Sequence, residues 1–159
     1  MEEFLRFIEK TPLMPLADVA VMLDRTPEEI AALYDEANAQ GYIRGYEALV
    51  DYEEAGITRV EAFIELHVTP RKSCGFDEIG GSIAAFPEVD SVLLMSGGYD
   101  LLVHIKGRSF QEIALFVAKR LSPLDDVLST STSFLLRTYK RGGRLFGTEE
   151  TDEREWTLL

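Results

Sequence analysis

Gly97-Gly98-Tyr99-Asp100 is a run of residues with the means to hold a small zwitterion. Paired glycines let a ligand come close to the main chain, so their N–H groups can bind a carboxylate. Asp100 supplies the complementary charge for an α-amino group, and Thr130 and Thr132 add hydroxyl donors. The same residues also read as a plain hairpin turn and as ordinary strand threonines. A second pair, His67 and His104, is set in alternating segments on the polar side of each alternation. If the two strands are neighbours, Glu65 completes a metal site; otherwise both are interface histidines. Cys74, the single cysteine, stands beside Gly75 in a loop and reads as a surface thiol. One cysteine excludes an internal disulfide and a zinc cluster, which points to a reducing, cytoplasmic setting. The chain has no phosphate-cradling G-x-x-x-x-G-K-[ST] loop, no H-E-x-x-H and no nucleophile elbow.

The elements that position these residues follow from periodicity. Val60 to Val68 alternates, with Ala62, Ile64, Leu66 and Val68 on one side and Glu61, Glu65 and His67 on the other. Phe76, Ile79, Ile83 and Phe86 are spaced as one face of a helix that Pro87 ends. Val89 to Met95 and Tyr99 to Lys106 are strands joined through Ser96-Gly97-Gly98. Phe110, Ile113, Ala114, Val117 and Leu121 form a second helix with Ser109 as its N-cap, and Val127 to Leu136 is a fourth strand. The order β-α-β-β-α-β is ferredoxin-like. Helices on one face leave the other bare, and Phe63, Leu102 and Leu135 fall there for a second subunit to cover.

The N-terminal part has a different pattern. Glu2 to Glu9 is a helix with Phe4, Leu5 and Ile8 on one face. Leu16 to Leu23 is a second, and Asp24-Arg25-Thr26 a turn. Thr26 is the N-cap of a third helix, with Pro27 at the first position and Glu29 at the third. It runs to Gln40 and stops at Gly41. Two short extended runs around Gly45, from Tyr42 to Val50, read as a winged hairpin. In a DNA reader the third helix carries basic and amide side chains into the major groove. Here it carries Glu28, Glu29, Asp35 and Glu36 and no Lys or Arg. The chain's net charge is −12, and residues 1–56 alone hold thirteen acids against four bases, which repels phosphate at long range. Apolar runs fall short of a bilayer span, and Met-Glu-Glu is not the start of a secretory signal, so no membrane partner is expected.

Taken in order, these motifs resemble the Lrp/AsnC (feast/famine) family of transcription regulators. Gln40-Gly41-Tyr42-Ile43-Arg44-Gly45-Tyr46 is similar to that family's wing, and Gly97-Gly98-Tyr99-Asp100 to its glycine-x-tyrosine-aspartate signature. Thr130 and Thr132 before Phe134-Leu135-Leu136 match its threonine pair. The resemblance covers about residues 3–140. It implies an α+β chain: a winged helix-turn-helix module at residues 1–50, a hinge at 51–58, a ferredoxin-like effector-binding and dimerisation domain at 59–140, and a tail at 141–159. It further implies a transcriptional regulator, not an enzyme and without a cofactor, that couples amino-acid or similar metabolite binding to assembly of a homo-oligomer and to DNA.

Gly97, Gly98, Tyr99, Asp100, Thr130 and Thr132 would bind the effector. The chain departs from the family at the reading helix, where Ala31, Ala32, Leu33, Asp35 and Glu36 replace serine and basic positions. Asp24 replaces the turn glycine, tolerable because Asp can take positive φ. Only Arg25, Thr26 and Arg44 are left as DNA contacts, so weak intrinsic DNA affinity is expected. One alternative is a metabolite-sensing partner in mixed oligomers that does not itself bind DNA. Another is a siroheme-decarboxylase-like enzyme, which only His67 and His104 would serve. The tail is basic, then acidic, interrupted by Gly142-Gly143 and closed by Trp156-Thr157-Leu158-Leu159, an apolar end of the kind that packs on a neighbouring subunit.

Overall fold

The computed structural model describes residues 1–70 and 75–147. Cys74 and the terminal Trp156-Thr157-Leu158-Leu159 therefore lie outside the described residues. The chain divides into two compact units, with the boundary between Ala48 and Leu49.

The first unit holds helices α1 (Glu2–Lys10), α2 (Leu16–Met22) and α3 (Pro27–Ala39). Their apolar faces close a small core of Phe4, Ile8, Val19, Ala20, Ile30 and Ala37. Phe4 meets the half-buried Tyr34 edge to face at 4.7 Å. Thr26 caps α3 as its sequence requires. Its hydroxyl accepts the Glu29 N–H at 3.2 Å, and the Glu29 carboxylate accepts the Thr26 N–H at 2.8 Å. Asp24 adopts φ +51° in the turn before it, and Gly41 closes the helix at φ +68°.

The hairpin expected at Tyr42 to Val50 does not form: this stretch contains no strand. The Tyr42 and Ile43 N–H groups both donate back to the Ala37 carbonyl, at 2.9 and 3.4 Å. The first arm is thus spent on closing α3 and keeps no donors there for a returning arm. Tyr42, Tyr46, Leu49 and Val50 are exposed as a result.

The second unit is a four-stranded antiparallel sheet of β1 (Val60–Val68), β2 (Val89–Leu94), β3 (Leu101–Gly107) and β4 (Val127–Phe134), in the order β2-β3-β1-β4. Helices α4 (Phe76–Ala84) and α5 (Phe110–Phe116) pack against one face, and α5 continues into a π-type turn at Val117–Leu121. This is the ferredoxin-like order. Its core is Ala62, Ile64 and Leu66 of β1 with Leu101, Val103 and Ile105 of β3, closed by Ile79, Ile83, Ile113 and Leu121 from the helical layer. Ser109 caps α5 by accepting the Glu112 N–H.

Register assigns the other face. Phe63 pairs with His104 and Ser133, Glu65 with Leu102 and Ser131, and Leu93 with Leu102. Phe63, Leu102 and Leu135 are all half-buried in the single chain, and the helical layer packs on the opposite side of the sheet.

The tail holds an element that its sequence was not read to contain. Strands β5 (Lys140–Arg141) and β6 (Arg144–Leu145) form a hairpin, with Arg141 opposite Arg144. Gly142 and Gly143, expected merely to interrupt the tail, are its two-residue turn, at φ +54° and +78°. Positive φ at both central positions is the geometry that matches strand twist, and glycine adopts it at no steric cost. Leu49 packs against this turn so closely that a Cβ on Gly142 would lie 2.7 Å from Leu49 Cδ1.

Candidate functional site

The turn between β2 and β3 is held from three sides. Met95 N–H donates to the Asp100 carbonyl at 2.8 Å, and Asp100 N–H donates to the Leu66 carbonyl at 2.9 Å. The Asp100 carboxylate accepts the Val68 N–H through Oδ2 at 2.9 Å. Asp100 therefore pins its turn to the end of β1. Among the described residues its other oxygen, Oδ1, has no hydrogen-bond partner.

Gly97 and Gly98 are exposed, neither has positive φ, and a Cβ on either would meet nothing within 4 Å. Neither backbone conformation nor internal packing demands glycine there. What the two glycines leave is open approach to the main chain from outside, two and three residues before Asp100 in the same turn. Tyr99 is half-buried next to them.

The threonines are arranged differently. Thr130 pairs with Leu66 and Thr132 with Ile64, so both side chains lie on the helix-covered face of the sheet at the β4 edge. Thr130 Oγ1 is 3.5 Å from Ser122 Oγ at the end of the π-type turn. Asp100 N–H and Thr130 thus meet Leu66 from opposite sides of β1. Two strand spacings, about 10 Å, separate them at the same end of the sheet. Thr132 is two residues further along.

The DNA-contact candidates are exposed in the first unit. The Thr26 hydroxyl is occupied by its cap, and Arg25 extends into solvent. The Arg44 guanidinium lies over Gly41, 3.3 Å from where a Cβ would stand. Glu28, Glu29, Asp35 and Glu36 are all exposed along α3, so this helix presents an acidic face.

A buried charge network occupies the bare face of the sheet, and sequence reasoning missed it. His104 is held at both ring nitrogens: Nδ1 is 2.9 Å from Asp90 Oδ2 and Nε2 is 3.0 Å from Glu61 Oε2. Its ring stacks on Phe63 at 4.6 Å. Glu61 also accepts from Arg141 of β5 at 2.9 Å and is approached by Arg59 at 3.6 Å, while Asp90 pairs with Lys106. Burial pushes the Glu61 carboxyl up, but Arg141 and His104 outweigh it and hold the group below its ordinary value. Burial likewise raises Asp90, and Lys106 and His104 bring it lower than usual.

The pairing of His67 with His104 fails on register. Phe63, not His67, stands opposite His104, and His67 is four residues on, about 13 Å along the strand. Among the described residues no cluster of three or more His, Cys, Asp or Glu is arranged to hold a metal ion. With both ring nitrogens engaged, His104 offers no lone pair to a tetrapyrrole iron. The siroheme reading is left with His67.

Three helices preceding a ferredoxin-like sheet, with an exposed Gly-Gly turn at the sheet's end, make a two-unit α+β chain. A family model described as the Lrp/AsnC ligand binding domain matches residues 61–145. YugG, an uncharacterised HTH-type transcriptional regulator of Bacillus subtilis (strain 168), is 39% identical over 153 residues, covering 96% of this chain and 92% of its own. The chain belongs to the Lrp/AsnC family of transcriptional regulators. Its fold is shared by a Neisseria meningitidis transcriptional regulator solved as an L-Met complex (TM-score 0.68, 20% identity, 87% of this chain and 88% of that one). It is also shared by Escherichia coli AsnC (TM-score 0.65, 19% identity, 87% and 91%). No helix among the described residues is long and apolar enough to cross a membrane.

Proposed function

We propose that this regulator senses an amino acid or a similar small zwitterion at the Gly97-Gly98-Tyr99-Asp100 turn and couples that binding to assembly and to DNA. One observation carries the reading. Two adjacent glycines lie open, where neither φ nor packing requires them, two and three residues before Asp100 in the same turn. Main-chain N–H groups there suit a carboxylate, and Asp100 suits an ammonium group. Thr130 and Thr132 would complete the site from across β1. The L-Met complex of the Neisseria regulator supports an amino-acid ligand.

Homo-oligomers would form through the bare face of the sheet, where Phe63 and Leu102 stand half-buried. Binding at a turn on that sheet's end has a short physical route to the interface. The organisation that serves this is a DNA-facing module at residues 1–50, a hinge at 51–58, the sensing domain at 59–140 and a tail at 141–159. An expected cytoplasmic setting and the absence of a catalytic role belong to the same reading.

DNA affinity through the first unit is weak, because α3 presents four carboxylates and only Arg25, Thr26 and Arg44 remain to meet phosphate. Fluorescence anisotropy with a labelled duplex from the gene's own upstream region tests this, with each of the standard amino acids added in turn. The reading expects weak binding that one amino acid alters. Nanomolar, sequence-selective binding at physiological salt would overturn the weak-affinity part. No binding under any condition would favour the second reading, a metabolite-sensing partner in mixed oligomers, which the acidic face of α3 supports.

A further inference from the structure

The tail hairpin and the residues just before it concentrate positive charge, of which Arg141 is paired with Glu61 and Arg137 acts on the Asp51 carboxyl. Residues 137–147 contain Arg137, Lys140, Arg141 and Arg144 and no acidic residue, in a chain whose net charge is −12. Arg141 is committed to Glu61. Arg137, Lys140 and Arg144 are exposed, and among the described residues none of them makes an ion pair. Like charges within one short segment repel. A partner carrying regularly spaced negative charge would relieve that repulsion.

The ribbon is also rigidly mounted. The Arg141–Glu61 pair ties it to the buried end of β1, and Phe146 N–H donates to the Tyr139 carbonyl at 3.0 Å. Gly147 N–H donates to Asp51 Oδ2 at 3.1 Å, and Leu49 seats the Gly142 turn. The Arg137 guanidinium rests over the exposed Tyr139 ring at 5.4 Å. Lys140 and Arg144 are thereby presented from the two faces of a two-stranded ribbon, and Arg137 three residues before it, with little ordering left to do on binding.

We propose that the β5–β6 ribbon is a backbone contact for duplex DNA, with Arg137, Lys140 and Arg144 meeting phosphates. This rests on the reading of the chain as a DNA-binding regulator and moves the source of affinity from α3 to the tail. Contacts of this kind position the protein on the duplex and carry no base sequence. The ribbon would offset the repulsion of an acidic reading helix.

The test is anisotropy of the full chain on a labelled duplex of arbitrary sequence, across about 50 to 200 mM salt, because each phosphate contact adds about 0.9 to the logarithmic salt slope. The Arg137→Gln/Lys140→Gln/Arg144→Gln variant keeps Arg141, and so keeps the anchor to Glu61. Losing three contacts lowers the slope by about 2.7 per subunit, which makes the affinity drop over that salt range about 40-fold smaller than in wild type. The charge-conserving Arg137→Lys/Arg144→Lys variant should keep the wild-type slope. If the triple variant does not fold, Lys140→Gln alone should lower the slope by about 0.9 per subunit. Wild-type binding with an unchanged slope in the neutral variants would overturn the ribbon's role and leave the regulator reading standing. No wild-type binding at the lowest salt would overturn both.

Discussion

Replacing Asp100 in two ways separates the structural work of its carboxylate from its proposed work on a ligand. Asp100→Ala removes the acceptor of the Val68 N–H, a charge-assisted bond of 2.9 Å at a half-buried position. The bond that Asp100 N–H makes to the Leu66 carbonyl is untouched. One such side-chain bond contributes about 1–2 kcal/mol where solvent has partial access. For a unit of this size, that lowers the melting midpoint by about 5–10 °C. Asp100→Asn keeps an amide oxygen for Val68 but has no charge for an ammonium group, so its loss should be under about half as large. Differential scanning calorimetry reads the stability, and isothermal titration with the standard amino acids reads the binding. The expected pattern is a destabilised Ala variant and a near-native Asn variant, with amino-acid binding lost in both. An Ala variant with the wild-type midpoint would refute the structural assignment. An Asn variant that binds like wild type would show that the charge of Asp100 is not what a ligand uses.

Three further outcomes follow from the geometry. Glu61 and Asp90 are held below their ordinary values. Their contribution to stability is therefore present above the unfolded carboxylate range, near pH 4, and is lost as pH falls through the lowered values. Urea melts across that range should show the gap between wild type and Glu61→Gln/Asp90→Asn closing as pH falls; a constant gap would contradict the assignment. Thr26→Ala removes half of the capping box on α3 and should cost about 1 kcal/mol, read by helix loss in circular dichroism on heating. Leu93 stands half exposed on the bare face opposite Leu102, so Leu93→Lys should fold normally yet weaken the proposed dimer in sedimentation. An unaltered dimer would place the subunit contact elsewhere.

Much of the fold was legible because its signals are local. Thr26 and Glu29 are three residues apart, as a capping box requires, and the Asp24 turn and the Gly41 stop are single-residue backbone effects. Alternation in Val60 to Val68 separated the core face from the face that carries Phe63 correctly, since side-chain direction in a strand has period two.

What was not legible depends on register and on contacts distant in sequence. Alternation placed His67 and His104 on one face, but only the pairing of β1 with β3 shows that Phe63 stands opposite His104 and leaves His67 four residues further along. Glu61 meets His104 across 43 residues and Arg141 across 80, and no spacing rule announces either. The wing misled for a different reason. Tyr42 and Ile43 have hairpin-like composition, but their N–H groups are consumed by the end of α3. At Gly142-Gly143 the opposite error occurred: glycines taken as an interruption are the turn of a hairpin that Arg141 anchors. For the candidate site, residue types pointed to the turn, whereas the structure shows that Asp100 also does structural work and that Thr130 and Thr132 lie beyond β1.

The most direct test of the central claim is sedimentation velocity of the full chain, titrated with each standard amino acid in turn. The account expects at least a dimer without ligand, and a shift in the assembly distribution with an amino acid, absent in Asp100→Asn. An identical distribution with every amino acid, or the same shift in the Asn variant, would contradict it.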